Sequence, residues 1–232
     1  MKKSIFPGIL ILMAVVIFSS CKKDYTIGGS IIDPHVNMTT YDYLKTNPLF
    51  DTVLLLIDKT GLKDELNASK TFFAFTDYAI TNYIAAKQED LRVKIDPNYV
   101  YTFDSLDFAG LKDSVRAYMF SEAISRDNVT AKGKLFRAND GELRFIQLIP
   151  SDDYTDGTVF SQLPEYLYFT KLLATEDNYP IPTDSTGIPN IKPKQLDLRT
   201  VVQTSGIITT TGILHVLHNY HRFAFFGDEN DN

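Results

Sequence analysis

The stretch of residues 70–80 constrains the fold most, because it contains two opposite structural signals in succession. It reads Lys-Thr-Phe-Phe-Ala-Phe-Thr-Asp-Tyr-Ala-Ile, and its apolar, aromatic first part is typical of a buried strand. Thr76 and Asp77 follow, and their side-chain oxygens can accept hydrogen bonds from the free N–H groups at the start of a helix. Apolar residues then recur at helical spacing as far as Ile84. The sequence therefore predicts a core strand that turns sharply into a helix.

The residues before this stretch predict short amphipathic helices. One helix signal starts at Thr39, and a second starts at Asn47, where Asn can cap and Pro48 lacks only an N–H that would have no helical partner. Apolar residues between positions 49 and 57 recur at i, i+3 and i+4, so this helix is expected to bury one face. Gly61 can end it in the left-handed conformation.

A further helix is predicted over residues 106–120. Leu111, Val115, Tyr118 and Met119 fall on one face at helical spacing, and charged residues lie between them. An amphipathic pattern of this kind is typical of a helix that packs one side against a core.

From position 129 onward the pattern changes to strands. Asn139-Asp140-Gly141 separates two apolar runs and is a strong hairpin signal, because these residue types tolerate positive φ. A proline-rich stretch at 178–194 is interpreted as a long irregular loop, and the span of about 150–197 as an insertion. The predicted strands are 134–138, 143–149, 159–160 and 166–173, followed by a final block of 198–204, 206–212 and 213–221.

The strand-to-helix stretch resembles the first conserved block of the fasciclin-type domain. In that family an aliphatic-Phe-Ala-Pro-Thr-Asp sequence makes this turn, and the matching residues here are Phe73, Ala74, Thr76 and Asp77, with Phe75 in the place of Pro. The resemblance adds a family to the structural prediction that the residues support by themselves.

A second stretch, residues 212–217, resembles the other conserved block of the same family. That block is an Asn-Gly-x-aliphatic-His-x-aliphatic strand, and this chain provides His215 and Val216 with Thr211 in place of the Asn. The matching His in the family has a structural role, so the resemblance implies a buried, hydrogen-bonded His215. The family's preceding helix ends in a Tyr-His pair, and Tyr118 matches its first residue while Met119 departs from the second.

The resemblance implies an α+β fold in which N-terminal helices pack on a twisted, mostly antiparallel sheet enlarged by insertions. One such domain is expected over residues 38–226, followed by an acidic tail at 227–232. It also implies a module for adhesion or ligand binding without catalysis.

The first residues are interpreted as a lipoprotein signal peptide. Residues 1–20 combine a positive start, a short apolar run and small residues before Cys21, and they resemble a bacterial signal that is cleaved so that Cys21 becomes acylated. Residues 21–37 are then expected to be a flexible tether. Lys22-Lys23-Asp24 partly matches a signal for transport to the cell surface. The expected location is the outer membrane of a Gram-negative cell, with possible exposure at the surface.

Charge excludes one class of partner. The formal net charge is -6, whereas binding to a nucleic-acid backbone needs clustered cations. No nucleic acid is therefore expected as a partner, and the membrane is expected to be reached through the lipid on Cys21 rather than through surface charge.

Three histidines near the C-terminal end raise the question of a metal site. On a continuous strand His218 would point away from His215 and His221, which would themselves lie about 20 Å apart at about 3.3 Å per residue. No metal ligands and no cofactor are predicted.

Known catalytic motifs are also missing from the sequence. It contains no Gly-x-Ser-x-Gly elbow, no phosphate-binding glycine loop and no zinc-protease helix, and Asp77 is interpreted as a helix cap rather than a catalytic carboxylate. No catalytic residue is therefore expected, and a hydrolase is kept only as an alternative.

Four tyrosines, Tyr154, Tyr166, Tyr168 and Tyr179, fall in the part that exceeds a compact fasciclin-type domain. If exposed, they can stack on a sugar or peptide, and the other interpretation is that they cover the sheet. The expected partner is a protein or a glycan. The main alternative to adhesion is an accessory glycan-binding lipoprotein of a nutrient-uptake system.

Overall fold

The strand predicted inside residues 70–80 is β1, Thr71–Ala74, and all four of its residues are buried. It lies between strands from two distant parts of the chain: β7 (Ile213–Leu217) runs parallel to it and β2 (Met119–Phe120) antiparallel. The computed structural model describes residues 33–152, 163–173, 181–196 and 198–227. The described residues from Pro34 onward belong to one compact unit.

Seven strands in the described residues form one mixed sheet in the order β2-β1-β7-β6-β5-β4-β3. The other four strands are β3 (Lys134–Arg137), β4 (Leu143–Pro150), β5 (Glu165–Lys171) and β6 (Arg199–Ile208). Every neighbouring pair is antiparallel except β1 with β7. The sheet is therefore mostly antiparallel.

The two edges of this sheet approach each other. Phe120 of β2 forms an isolated antiparallel bridge with Ala138, just after β3, and Asn139 N–H donates to Met119 O at 2.8 Å. The sheet is thus nearly closed into a barrel, which leaves few unpaired backbone groups at its edges. Together with the helices, this confirms an α+β fold.

The N-terminal helices begin and end where the sequence predicts. Asn47 accepts a hydrogen bond from Leu49 N–H at 3.0 Å, and Gly61 ends the helix that follows with a φ of 70°. The helices are α1 (Thr40–Leu44), α2 (Asp51–Thr60), α3 (Lys63–Ala68), α4 (Asp77–Lys94) and α5 (Lys112–Arg116). The 3₁₀ turns are Pro48–Phe50, Phe103–Ser105, Arg126–Asn128, Ser185–Asn190, Pro193–Leu196 and Phe223–Phe225.

The predicted helix over residues 106–120 is wrong in its extent. Only Lys112–Arg116 is α-helical, and Met119–Phe120 belongs to the sheet. The backbone after Tyr118 is extended because it pairs with β1: Phe73 N–H donates to Tyr118 O at 2.9 Å, and Lys70 N–H donates to Phe120 O at 2.8 Å. A short apolar run fits a helix and a strand equally well, so the spacing of its apolar residues does not distinguish the two.

The predicted hairpin is confirmed. β3 and β4 pair antiparallel around Asp140, and Gly141 takes a φ of 90°. The strand predicted from Tyr166 is also present as β5, which lies between β4 and β6 within the sheet. Part of the span interpreted as an insertion is therefore a sheet strand, whereas the strand predicted at 159–160 lies outside the described residues.

The chain joins the sheet before the predicted domain start at residue 38. Val36 N–H donates to Ile208 O at 2.8 Å, and Ile208 N–H donates to Pro34 O at 2.8 Å. The last part of the expected tether, residues 21–37, is thus paired with the end of β6. Cys21 and the signal segment of residues 1–20 lie outside the described residues.

Candidate functional site

The two stretches that carry the family resemblance lie side by side. Phe73 is the ladder partner of His215, and Ala74 is the partner of Val216, across the parallel pair β1 and β7. In the sequence, only the family resemblance links these two stretches. In the structure, they are adjacent strands of one parallel ladder.

His215 is buried, as the sequence predicts. Its Nε2–H donates to Ile124 O at 2.8 Å, and its Nδ1 accepts from Gly206 N–H at 3.2 Å. Gly206 takes a φ of 80° in an irregular part of β6, a conformation that aims its N–H at the ring. Burial lowers the pKa of His215 to about 4, so the ring is neutral at pH 7.

Asp77 caps a helix, but not the one it begins. Its Oδ1 accepts hydrogen bonds from Thr52 N–H at 2.9 Å and from Val53 N–H at 3.1 Å, in the first turn of α2. The expectation that this carboxylate caps its own helix is thus corrected, because Asp77 is already inside α4 and faces the neighbouring helix end. Thr76 is buried, and its hydroxyl donates to Asn219 Oδ1 at 3.1 Å.

Tyr118 has a histidine partner from the C-terminal segment rather than from the adjacent position. Its hydroxyl is hydrogen-bonded to His221 Nε2 at 2.8 Å and accepts from Ala224 N–H at 2.9 Å. Burial lowers the pKa of His221 to about 3, so this ring is also neutral at pH 7. Strand β7 ends at Leu217, so His221 reaches this place after a turn and not along a strand.

The structure describes two of the four tyrosines that are predicted as ligand contacts, Tyr166 and Tyr168. Tyr168 is only 8% exposed, and Arg199 lies over its ring with Cζ 5.0 Å from the centroid, so its assignment as an exposed contact is wrong. The ring is covered because Tyr168 pairs with β6, and Arg199 of that strand lies over it. Tyr166 is half-buried. Tyr154 and Tyr179 lie outside the described residues.

Sequence reasoning missed the most polar part of the sheet interior. Arg144 on β4 and Lys171 on β5 are directly opposite each other in the antiparallel ladder. Their neighbours two residues away, Ile146 and Phe169, form the next pair on the same face and belong to the core. Because strand side chains alternate, the two cations lie on the inward face where the core meets solvent.

A cavity of about 280 Å³ opens at this place, and we call it the mouth pocket. It lies where β4 and β5 meet α5 and the C-terminal 3₁₀ turn. Its lining residues are Asp113, Ser114, Ala117, Tyr118, Asp140, Glu142, Arg144, Phe169, Lys171, Ala224 and Phe225.

Carboxylates balance Arg144, which is only 4% exposed. Its Nη2 lies 2.7 Å from Asp140 Oδ2, and its Nη1 lies 2.9 Å from Glu142 Oε2. Burial raises the pKa of Asp140, and the attraction of Arg144 opposes that shift. The Glu142 side chain, in contrast, is 63% exposed and reaches solvent.

The opposite wall of the mouth pocket is strained. Ala224 and Phe225 are the described non-glycine residues with positive φ, at 58° and 54°. Each such residue costs about 1–2 kcal/mol, and strain of this kind clusters at functional sites. Tyr118 holds Ala224 through its hydroxyl, so the strained backbone is fixed from the floor of the pocket.

Chemically, this arrangement can hold a ligand by hydrogen bonds. It presents guanidinium, ammonium, carboxylate and hydroxyl groups over an aromatic floor. Across the described residues, no group of three His, Cys, Asp or Glu is placed to hold a metal ion. The helices in the described part of the chain include none that is both long and apolar enough to cross a membrane.

Compared with known proteins, the chain matches no protein-family model and no curated sequence. The resemblance to the fasciclin family stays a prediction that rests on the two sequence blocks.

Proposed function

We propose that the chain is a non-catalytic binding module of the cell envelope, and that its ligand occupies the mouth pocket. The observation that carries this proposal is the pair Arg144 and Lys171, opposite each other on the inward face of the sheet. Like charges directly opposite in a ladder are destabilising, and burying charge costs free energy. Asp140 and Glu142 balance Arg144, so the two cations belong to a mixed-charge surface that lines the mouth pocket and suits recognition of a polar ligand.

Binding rather than reaction is supported by the state of the polar groups. The buried histidines are engaged by Ile124 O and by the Tyr118 hydroxyl, and their lowered pKa values keep them neutral. Asp140 and Glu142 are paired with Arg144. These contacts favour a rigid, preorganised surface over a base poised to take a proton.

We further propose that the fold is a fasciclin-like domain and that a lipid on Cys21 attaches it to the outer membrane. Cys21→Ala should move the protein from the membrane fraction to the soluble fraction and abolish incorporation of labelled palmitate. Protease shaving of intact cells then tests exposure at the surface. Retention of Cys21→Ala in the membrane fraction contradicts the lipid anchor without bearing on the pocket.

The binding proposal is tested by crosslinking in cells that produce wild type, Lys171→Met or the control Lys132→Met. Lys132 is exposed and lies outside the mouth pocket. We expect Lys171→Met alone to lose the crosslinked ligand, and thermal melting checks that both variants are folded. Equal crosslinking of all three proteins overturns the mouth pocket as the binding site.

An accessory glycan-binding role is the second candidate. It is favoured over protein adhesion by the mouth pocket itself, because a recessed pocket with donors and acceptors of both charge signs suits a small polar group better than a flat protein surface.

A further inference from the structure

A second cavity of about 370 Å³ adjoins the mouth pocket. Glu142, Arg144 and Lys171 line both cavities, so these three side chains form a shared wall. The second cavity continues to Arg137 at the hairpin and to Ile181 and Thr183 in the segment after β5. Two cavities that share polar lining residues are the arrangement expected of adjacent binding subsites for one ligand.

Charged side chains of both signs line the two cavities. Arg144 is paired with Asp140 and Glu142, and Asp113 is paired with Arg116 at 3.1 Å. Taken together, the cavity walls carry three cations, Arg137, Arg144 and Lys171, and three carboxylates, Asp113, Asp140 and Glu142. With equal numbers of the two signs, the lining side chains carry no formal net charge, which suits a neutral ligand. A neutral ligand can use the remaining lone pairs and N–H groups.

The groups that line the cavities match hydroxyls. Each ligand hydroxyl can donate to a carboxylate and accept from a guanidinium or ammonium, while Ser114 and Thr183 can do either. Apolar surface is present in both recesses, from Phe225 in the mouth pocket and from Ile181, which is 39% exposed, in the second cavity. Sugar rings combine such hydroxyls with apolar C–H faces that pack on aromatic and aliphatic side chains.

The volume of the cavities indicates how many sugar units they can hold. Pockets for small ligands span about 300–1,000 Å³, and the mouth pocket alone, at about 280 Å³, lies just below that range. Both cavities joined over Glu142 suit a ligand of more than one unit.

We propose that the mouth pocket and the second cavity are consecutive subsites for a neutral oligosaccharide, with Glu142, Arg144 and Lys171 at the junction between two sugar units. This inference rests on the proposed binding function and specifies its ligand class.

The test uses calorimetric titration of the whole domain with neutral oligosaccharides, from monosaccharides to hexasaccharides, chosen from hits on a glycan array. We expect the affinity to rise about tenfold or more from one unit to two, as a second occupied subsite adds its contacts. Because the ligand is neutral, the affinity should change little between about 50 and 500 mM salt.

A blocking variant assigns the second subsite. Thr183→Trp fills the second cavity and should reduce the affinity for long oligosaccharides to that for monosaccharides. Ser185→Trp is the matched control, because Ser185 is exposed on the same segment and does not line the cavity. Equal affinity for all chain lengths, or an unchanged profile for Thr183→Trp, overturns the two-subsite inference.

Different experimental outcomes would contradict the oligosaccharide ligand and the mouth pocket as a binding site. Salt-sensitive binding of a charged ligand that Lys171→Met abolishes would overturn the oligosaccharide while leaving the mouth pocket as a binding site. No binding by any array ligand, combined with equal crosslinking of Lys171→Met and wild type in cells, would overturn both.

Discussion

The imidazole of His215 stacks on the phenyl ring of Phe73, with centroids 4.8 Å apart and planes 23° apart. The two residues are also ladder partners of β1 and β7. The same imidazole is hydrogen-bonded to Ile124 O and to Gly206 N–H. His215 on β7 therefore contacts both neighbouring strands, β1 and β6, and also the segment that contains Ile124.

Replacing His215 should destabilise the domain through its hydrogen bonds. His215→Phe keeps a ring against Phe73 but leaves two backbone groups, Ile124 O and Gly206 N–H, without that partner. At about 1–3 kcal/mol for each buried unpaired group, we expect a loss of about 2–6 kcal/mol in the free energy of unfolding, measured by urea denaturation. The exposed His35→Phe is the control, and similar losses in both variants would contradict this role.

Stability should fall below neutral pH. Burial lowers the pKa of His215 to about 4 and that of His221 to about 3, whereas both are near about 6.5 in the unfolded chain. Between about pH 6.5 and pH 4 the unfolded state binds protons that the folded state does not, so stability decreases as pH falls. Above about pH 6.5 both states hold neutral rings and this contribution is constant.

The two histidines together give a slope of at most about 2.7 kcal/mol per pH unit. Asp140 acts in the opposite direction, because its raised pKa means that folding favours its protonated form. Urea denaturation at about pH 7 and pH 5 measures the net effect, and His221→Gln should reduce the slope. Equal stability of the wild type at both pH values would contradict the assignment.

Asp77 should act as the cap of α2. Asp77→Ala removes the acceptor for Thr52 N–H and Val53 N–H, and we expect a loss of about 1–2 kcal/mol. Asp77→Asn keeps an acceptor and loses only the favourable charge at the helix end, which is about 0.3–1 kcal/mol. Asp127→Ala, at an exposed 3₁₀ turn, is the control. If Asp77→Asn costs as much as Asp77→Ala, the charge and not the hydrogen bonds carries the effect.

Relief of strain beside the mouth pocket should be measurable. Ala224 has a φ of 58°, which glycine adopts without steric cost, so Ala224→Gly should raise the melting temperature and add up to about 1 kcal/mol of stability. Ala131→Gly, at a turn residue without positive φ, should instead lower stability by about 0.4–1 kcal/mol. Destabilisation by both substitutions would show that Ala224 is not strained in solution.

The parts of the fold that the sequence predicts well are local. The strand-to-helix turn, the cap at Asn47, the end at Gly61 and the hairpin at Gly141 each depend on residues close together in the chain. Their signals come from backbone preferences that a short window of sequence contains. The helix over 106–120 failed because pairing with β1, far away in sequence, decided the conformation of Met119.

The candidate site was not predictable in the same way. Arg144 follows a turn and Lys171 ends another strand, and nothing local to either residue places them opposite each other. The link from Tyr118 to His221 likewise joins distant segments. Strand side chains alternate between faces, so the predicted strand 143–149 already places Arg144 on the same face as Ile146. A cation on the inward face of a strand was the signal that could have indicated this site.

The pairing of Val36 with Ile208 has a consequence for orientation. Strand β6 starts at Arg199, whose ladder partner Thr170 is next to Lys171, and its tenth and last residue is Ile208. At about 3.3 Å per residue, roughly 30 Å separates these two ends. Residues 34–36 therefore pair with the end of β6 that is far from Lys171 and the mouth pocket. A partner that approaches the mouth pocket therefore meets the domain about one strand length away from the place where residues 34–36 join the sheet.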